Sequence, residues 1–208
     1  MTGAANKANI TAYIGASGLG KSAAMKQRLA VEKPARLMVW DAQGEYAHLL
    51  KVKPLRLMGQ VHAALMRAGR GPVVICFDPS PDAKIMADQF DAFCTLAYAA
   101  GPLRLLCEEL SDVTQAGWAP AGWSMVSRKG RHKGLTVLGA TQRPAAVDKH
   151  FFGNASRVRC GRLNYEADVR TMANVLRVSP DEIGNLQPLE WIERDMSTGQ
   201  TERGRLTF

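Results

Sequence analysis

Eight residues near the start of the chain, Gly15-Ala16-Ser17-Gly18-Leu19-Gly20-Lys21-Ser22, leave few folds open. A short β-rich run, Asn9 to Ile14, leads into them. A helix-forming run, Lys21 to Glu32, follows and stops before Pro34. The spacing is that of a phosphate-binding loop, and each position has a physical job. Glycines accept torsions that other residues resist, so successive N–H groups can turn inward on an anion. Lys21 places a point charge on the β- and γ-phosphates. The Ser22 hydroxyl can ligate Mg²⁺. The helix opening near Lys21 adds the positive end of its dipole. Gly15 to Ser22 therefore predicts a site for the phosphates of ATP, or of a close relative, with Mg²⁺.

The rest of the chain alternates between strand and helix signals. Arg36 to Asp41, Leu55 to Met58, Pro72 to Phe77, Leu103 to Cys107, Leu135 to Ala140 and Arg157 to Leu163 read as strands. Val61 to Ala68, Asp82 to Ala100 and Tyr165 to Val178 read as helices, the second opened by Pro81 and closed by Gly101-Pro102. Apolar strands separated by helices imply a mostly parallel sheet covered on both faces, a three-layer α/β domain. Residues 1–208 read as one domain. Its last stretch, Glu190 to Phe208, is expected to form a β-hairpin around Ser197-Thr198-Gly199, an appendage over residues 188–208. Ser111 to Pro120 reads as a long irregular loop, of the kind that carries function in compact domains.

A phosphate loop of this kind needs carboxylates at the end of a neighbouring strand, one on the metal side and one to orient or deprotonate water. Leu103 to Cys107 ends in Glu108-Glu109, and Val73 to Phe77 ends in Asp78. The adjacent pair suits the two roles better, with Glu108 on the metal side and Glu109 on the water side. Asp78, followed by Pro79-Ser80-Pro81, reads as a turn residue. At the end of the next strand, Thr141-Gln142-Arg143-Pro144 offers an amide that can hydrogen-bond a γ-phosphate or the attacking water; the plain alternative is a polar strand end.

The chain carries a net charge of +8, and its distribution is uneven. Between Ala121 and Arg170 stand ten Lys or Arg against three acids (Asp148, Glu166, Asp168), so this part alone supplies +7. Four of those cations, Arg128, Lys129, Arg131 and Lys133, fall within six residues. They can meet nucleic-acid phosphates, one arginine can serve a neighbouring subunit's nucleotide, or they form a solvated turn. Cys76, Cys94, Cys107 and Cys160 lack metal-site spacing and read as reduced, buried thiols of a cytosolic protein. No apolar run approaches the roughly 20 residues needed to span a membrane, and the segment MTGAANKANI lacks a secretory apolar core.

The set of motifs resembles the FtsK–HerA superfamily of ring-forming ATPases. Within it, the similarity is to the short genome-packaging ATPases of internal-membrane viruses and phages. Val39-Trp40-Asp41-Ala42-Gln43-Gly44-Glu45-Tyr46 is similar to the D-x-x-G-E-Y segment of HerA-like proteins. Gly130-Arg131-His132-Lys133-Gly134, a strand, and Thr141-Gln142-Arg143-Pro144 resemble the family's GR-x-x-G … TQ-R-P run. The resemblance implies a RecA/ASCE-like P-loop fold. It implies Lys21 and Ser22 at ATP and Mg²⁺, Glu109 as the catalytic carboxylate, Gln142 as γ-phosphate sensor, and an arginine of the 128–131 segment acting on a neighbouring subunit, for which Arg131 is favoured. The family commonly has Asp-Glu where this chain has Glu108-Glu109. It further implies a homo-oligomeric ring, commonly a hexamer, that pumps DNA without reading sequence. Capsid or membrane-vertex proteins are expected as docking partners, in the host cytoplasm or on the virion. Ser111 to Trp123 is the candidate pore segment, with Trp118 available to DNA and Trp123 anchoring the next helix.

Three other readings compete. A Zot-like phage assembly or export ATPase shares the nucleotide core but usually carries a membrane segment. A small-molecule P-loop kinase would need a lid and an acceptor pocket, for which no pattern is recognised. A nucleotide switch without turnover fits the Glu109–Gln142 pair poorly.

Overall fold

The computed structural model describes residues 9–207; the segment 1–8 and Phe208 lie outside the described residues. In chain order, β1 (Ile10–Ile14) leads through the glycine loop to α1 (Lys21–Glu32), then β2 (Arg36–Trp40), α2 (Tyr46–Leu49), α3 (Met58–Ala68) and β3 (Val73–Phe77). Next come α4 (Ala83–Ala100), β4 (Leu103–Cys107), α5 (Leu110–Val113), α6 (Ala121–Lys129) and β5 (Leu135–Thr141). The chain continues through α7 (Lys149–Asn154), β6 (Arg157–Cys160), α8 (Glu166–Leu176), α9 (Pro180–Gly184), β7 (Glu190–Asp195) and β8 (Thr201–Arg205). The eight strands form one sheet in the order β3-β2-β4-β5-β1-β6-β7-β8. The first six run parallel, and β7 and β8 pair antiparallel.

The two faces are covered unequally. On one, α3, α4, α6, α7 and α8 enclose the larger core, where Trp40, Phe77, Phe90, Phe93, Trp123 and Phe151 touch ring to ring at 5.0–5.7 Å. On the other, α1 and α2 cover Tyr13, Val39, Leu106 and Leu138. The three-layer α/β expectation holds. Helix α4 starts where the Asp82 carboxylate accepts the N–H groups of Lys84 and Ile85, both at 3.0 Å, and ends at Gly101. Helix α6 lies so close to α4 that a Cβ on Gly122 would stand 2.3 Å from the Asp91 carbonyl oxygen. Trp123 is fully buried between them, as expected of an anchor.

Several boundaries differ from expectation. Leu55 to Met58 is not a strand: Leu55 makes a single parallel bridge to Phe77, and Met58 already opens α3. Four residues beside an edge strand do not extend a ladder when the helical period takes over at once. The expected irregular loop at Ser111 to Pro120 begins inside α5 and then closes a tight turn, in which Gln115 and Trp118 exchange N–H···O bonds of 2.8 and 3.0 Å. Strands β7 and β8 pair antiparallel at the end of the chain, and β7 joins the sheet beside β6. All four cysteines are buried free thiols. Among the described residues, no helix is long and apolar enough to cross a membrane.

Candidate active site at the carboxyl ends of the strands

Strand β1 ends at Ile14, and the chain turns through Gly15–Gly20 into α1. Gly18 (φ 71°) and Gly20 (φ 98°) occupy the left-handed region that a side chain resists. A Cβ on Gly20 would also stand 3.2 Å from Leu189 and 3.3 Å from Leu206, so the C-terminal hairpin lies against the loop. The Ala16 N–H donates to the Arg162 carbonyl at 2.9 Å, tying the loop to the end of β6. Lys21 Nζ donates to the Ala16 carbonyl at 3.2 Å, folding the ammonium back over the loop. Burial lowers the Lys21 pKa from its ordinary value, opposed by the charges of Glu109 and Glu108.

Strand β4 delivers Glu108 and Glu109 to the same end of the sheet, but not from a neighbouring strand. Strand β5 stands between β1 and β4, which corrects the sequence expectation. Its polar end, Thr141-Gln142, therefore fills the space between the loop and the acids. Consecutive residues of an extended strand face opposite sides. Glu109 breaks that alternation with a left-handed backbone (φ 45°), and both glutamates reach one cavity.

The two acids have different surroundings. Glu108 is 3 % exposed. Its Oε1 accepts the Ser22 hydroxyl at 2.9 Å and the Tyr46 hydroxyl at 3.1 Å. Its Oε2 is buried with no hydrogen-bond partner among the described residues. Burial pushes the carboxyl up to about 7, the Ser22 hydrogen bond pulls it down, and the nearby Glu45 charge adds to the rise. Burial and the Glu108 charge keep Tyr46 protonated, a permanent donor. Glu109 Oε1 instead accepts Gln142 Nε2 at 2.7 Å.

The cavity among these groups holds about 300 Å³ and is lined by Ser17, Gly18, Gly20, Lys21, Ser22, Glu108, Glu109 and Gln142, together with Gln43, Glu45 and Leu189. Gly15, Ala16 and Leu19 complete the loop beside it. A buried carboxylate oxygen with free lone pairs beside a serine hydroxyl is a hard-oxygen donor set that fits Mg²⁺. Ser22 and Glu108 would hold the ion.

Arg131 is not brought to this cavity. It sits exposed in the 3₁₀ turn Gly130–Lys133, at the opposite end of β5 from Gln142. Seven strand residues at about 3.3 Å each put it roughly 20 Å from its own chain's site. Asp78 does not line the cavity either and pairs with Arg56 at 2.7 Å. Sequence reasoning assigned no site role to Gln43, Glu45, Tyr46 or Leu189. The available signal for the first three was their position just past a strand of a parallel sheet, where ligand-binding loops gather.

A glycine loop at the end of β1, an acidic pair two strands away and a polar strand end between them define a P-loop NTPase fold of the RecA/ASCE type. No protein-family profile matches the chain. It is 31 % identical over 203 residues to Protein P9 of Pseudoalteromonas phage PM2, spanning 94 % of this chain and 89 % of that protein. The chain belongs to the family of that phage protein. Its fold is similar to that of the genome-packaging NTPase B204 from Sulfolobus turreted icosahedral virus 2 in complex with AMPPCP (TM-score 0.72, 13 % identity, covering 97 % of this chain and 98 % of that one). It is also similar to VirB4 of Thermoanaerobacter pseudethanolicus (TM-score 0.68, 13 % identity, covering 100 % and 92 %).

Proposed function

We propose that this chain is the ATP-hydrolysing subunit of a ring that drives viral DNA into a capsid. The observation that carries the reading is the convergence of Lys21, Ser22, Glu108, Glu109 and Gln142 on one cavity. The similarity to B204, a genome-packaging NTPase in complex with AMPPCP, supports the same direction.

The roles follow from what each group can touch. Inward-facing N–H groups of Gly15 to Gly20 and the Lys21 ammonium bind the triphosphate. Mg²⁺, when bound, supplies charge neutralisation of the β- and γ-phosphates. Glu109 accepts the proton of the attacking water. Gln142, bonded to Glu109 before nucleotide arrives, orients that water and exchanges this bond for one to the γ-phosphate. Arg131, remote from its own site, stabilises transition-state charge on the next subunit in the ring. Trp118, 52 % exposed on its tight turn, faces the DNA path.

The test is ATP hydrolysis by the purified protein with and without double-stranded DNA, with Lys21→Ala as the blank. Stimulation by DNA that disappears in the blank supports the motor. Turnover indifferent to DNA removes the translocase reading and leaves an ATPase of another use.

A further inference from the structure

The turn between β2 and α2 takes no part in the roles above. Asp41, 1 % exposed, follows β2, and its carboxylate is saturated by the turn it holds. It accepts the N–H groups of Glu45 at 2.8 Å and of Tyr46 and Ala47 at 3.0 Å each. Gly44, at φ 69°, lets the chain double back. This clamp starts α2 and turns the Tyr46 side chain inward, where it is fully buried. Outside it, Lys26 of α1 lies over the Tyr46 ring at 5.4 Å and pairs with Glu45 at 2.6 Å. The turn is thus fixed from both sides, and the Tyr46 hydroxyl ends on Glu108 Oε1.

That contact sets the rotation of the carboxylate. Two donors, Tyr46 and Ser22, share Oε1, and Oε2 is left with unused lone pairs. The Ser22 hydroxyl keeps its own lone pairs while it donates, so it can ligate a cation without releasing Glu108. Remove the Tyr46 donor, and Glu108 is held at a single point and free to swing.

We propose that Tyr46, set by Asp41, is a positioning residue for divalent-cation binding: its hydroxyl holds Glu108 so that Oε2 faces a cation seated beside Ser22. The proposal rests on the nucleotide reading above, because that cation is the one that accompanies the nucleotide. Tyr46 is fully buried and does not line the cavity, so its hydroxyl reaches the site through Glu108.

The experiment separates nucleotide binding from cation binding. ADP affinity is measured calorimetrically in EDTA. Mg²⁺ is then titrated at saturating ADP, following the rise in Tm. Wild type, Tyr46→Phe, Glu108→Gln and the double variant are compared. Tyr46→Phe keeps the ring and loses one hydrogen bond to a charged group. It is expected to bind ADP in EDTA as wild type does, and to need about tenfold more Mg²⁺ for half the Tm rise. In the Glu108→Gln background the same substitution should add nothing, which a merely structural role would not produce. Asp41→Asn, which loosens the turn without touching the ring, should shift the Mg²⁺ midpoint the same way and is the second probe. Equal Mg²⁺ midpoints for wild type and Tyr46→Phe, or additive effects in the double variant, overturn the proposal. A wild-type protein that binds ADP but gains nothing from Mg²⁺ overturns it too, leaving nucleotide binding intact. A wild-type protein that does not bind ADP overturns the nucleotide reading itself.

Discussion

The two ends of β5 are built on opposite principles. At its carboxyl end, Gln142 is bonded to Glu109 and Arg143 pairs with the buried Asp168 at 2.9 Å, while its guanidinium stacks on Tyr165 at 4.2 Å. Asp168 also accepts the Ala145 N–H at 2.9 Å. Gln142 and Arg143 thus each have a side-chain partner from the same chain. At the amino end, Arg128, Lys129, Arg131 and Lys133 form no ion pair among the described residues. A cationic cluster left without carboxylates costs little in water and keeps its charge available. One end of the strand is finished within the molecule. The other leaves its exposed cations without a carboxylate partner among the described residues.

Arg131→Ala gives the sharpest test of that contrast. It is expected to lower ATP hydrolysis on the order of 10³-fold and leave nucleotide binding by the isolated chain unchanged. Mixing it with Lys21→Ala chains should restore part of the activity, because each supplies what the other lacks. Full hydrolysis by Arg131→Ala rings would break the comparison, leaving the amino end a phosphate-contact or solvated surface. At the finished end, Glu109→Gln should lose about 10²–10³-fold in kcat while ADP binding stays intact, measured by single-turnover hydrolysis and calorimetry. A parallel loss of ADP affinity would mean that Glu109 organises the loop and not the water.

How much of this was readable beforehand depends on whether a residue acts locally. The loop and α1 are set by glycine torsions and a helix-forming run that stops before Pro34, and they fell where the sequence put them. Glu108 and Glu109 were visible as an acidic pair ending an apolar run. Their division of labour was not, because it depends on the left-handed backbone at Glu109 and on donors 62 and 86 residues away in the sequence. Strand order was equally hidden. Nothing local says that β5 inserts between β1 and β4, yet that insertion is what brings Gln142 to the acids. Leu55 to Met58 misled because a four-residue run with three apolar positions cannot by itself separate a strand from a helix start.

The smallest expected effect belongs to the far edge of the sheet. The Asp195 carboxylate accepts the Ser197 hydroxyl at 2.6 Å and the N–H groups of Ser197 and Thr198 at 2.9 and 3.1 Å. These bonds, the Ser197 side chain first, lower its pKa from 3.8 to about 2. A depressed carboxylate contributes stability that is fully present above its unfolded value and is lost as pH falls through the folded one. Asp195→Asn should therefore lower Tm by on the order of 1 °C at pH 6, and the gap should close as pH falls toward 2. A gap that persists at pH 2 would assign the turn's stability to its backbone alone.

The contact of Leu189 and Leu206 with Gly20 has a consequence for how the molecule comes into being. A ribosome releases the glycine loop long before it makes either leucine. The loop's backbone is thus braced by residues synthesised more than 160 positions later. A nascent chain can carry the complete phosphate-binding signature and still lack its brace.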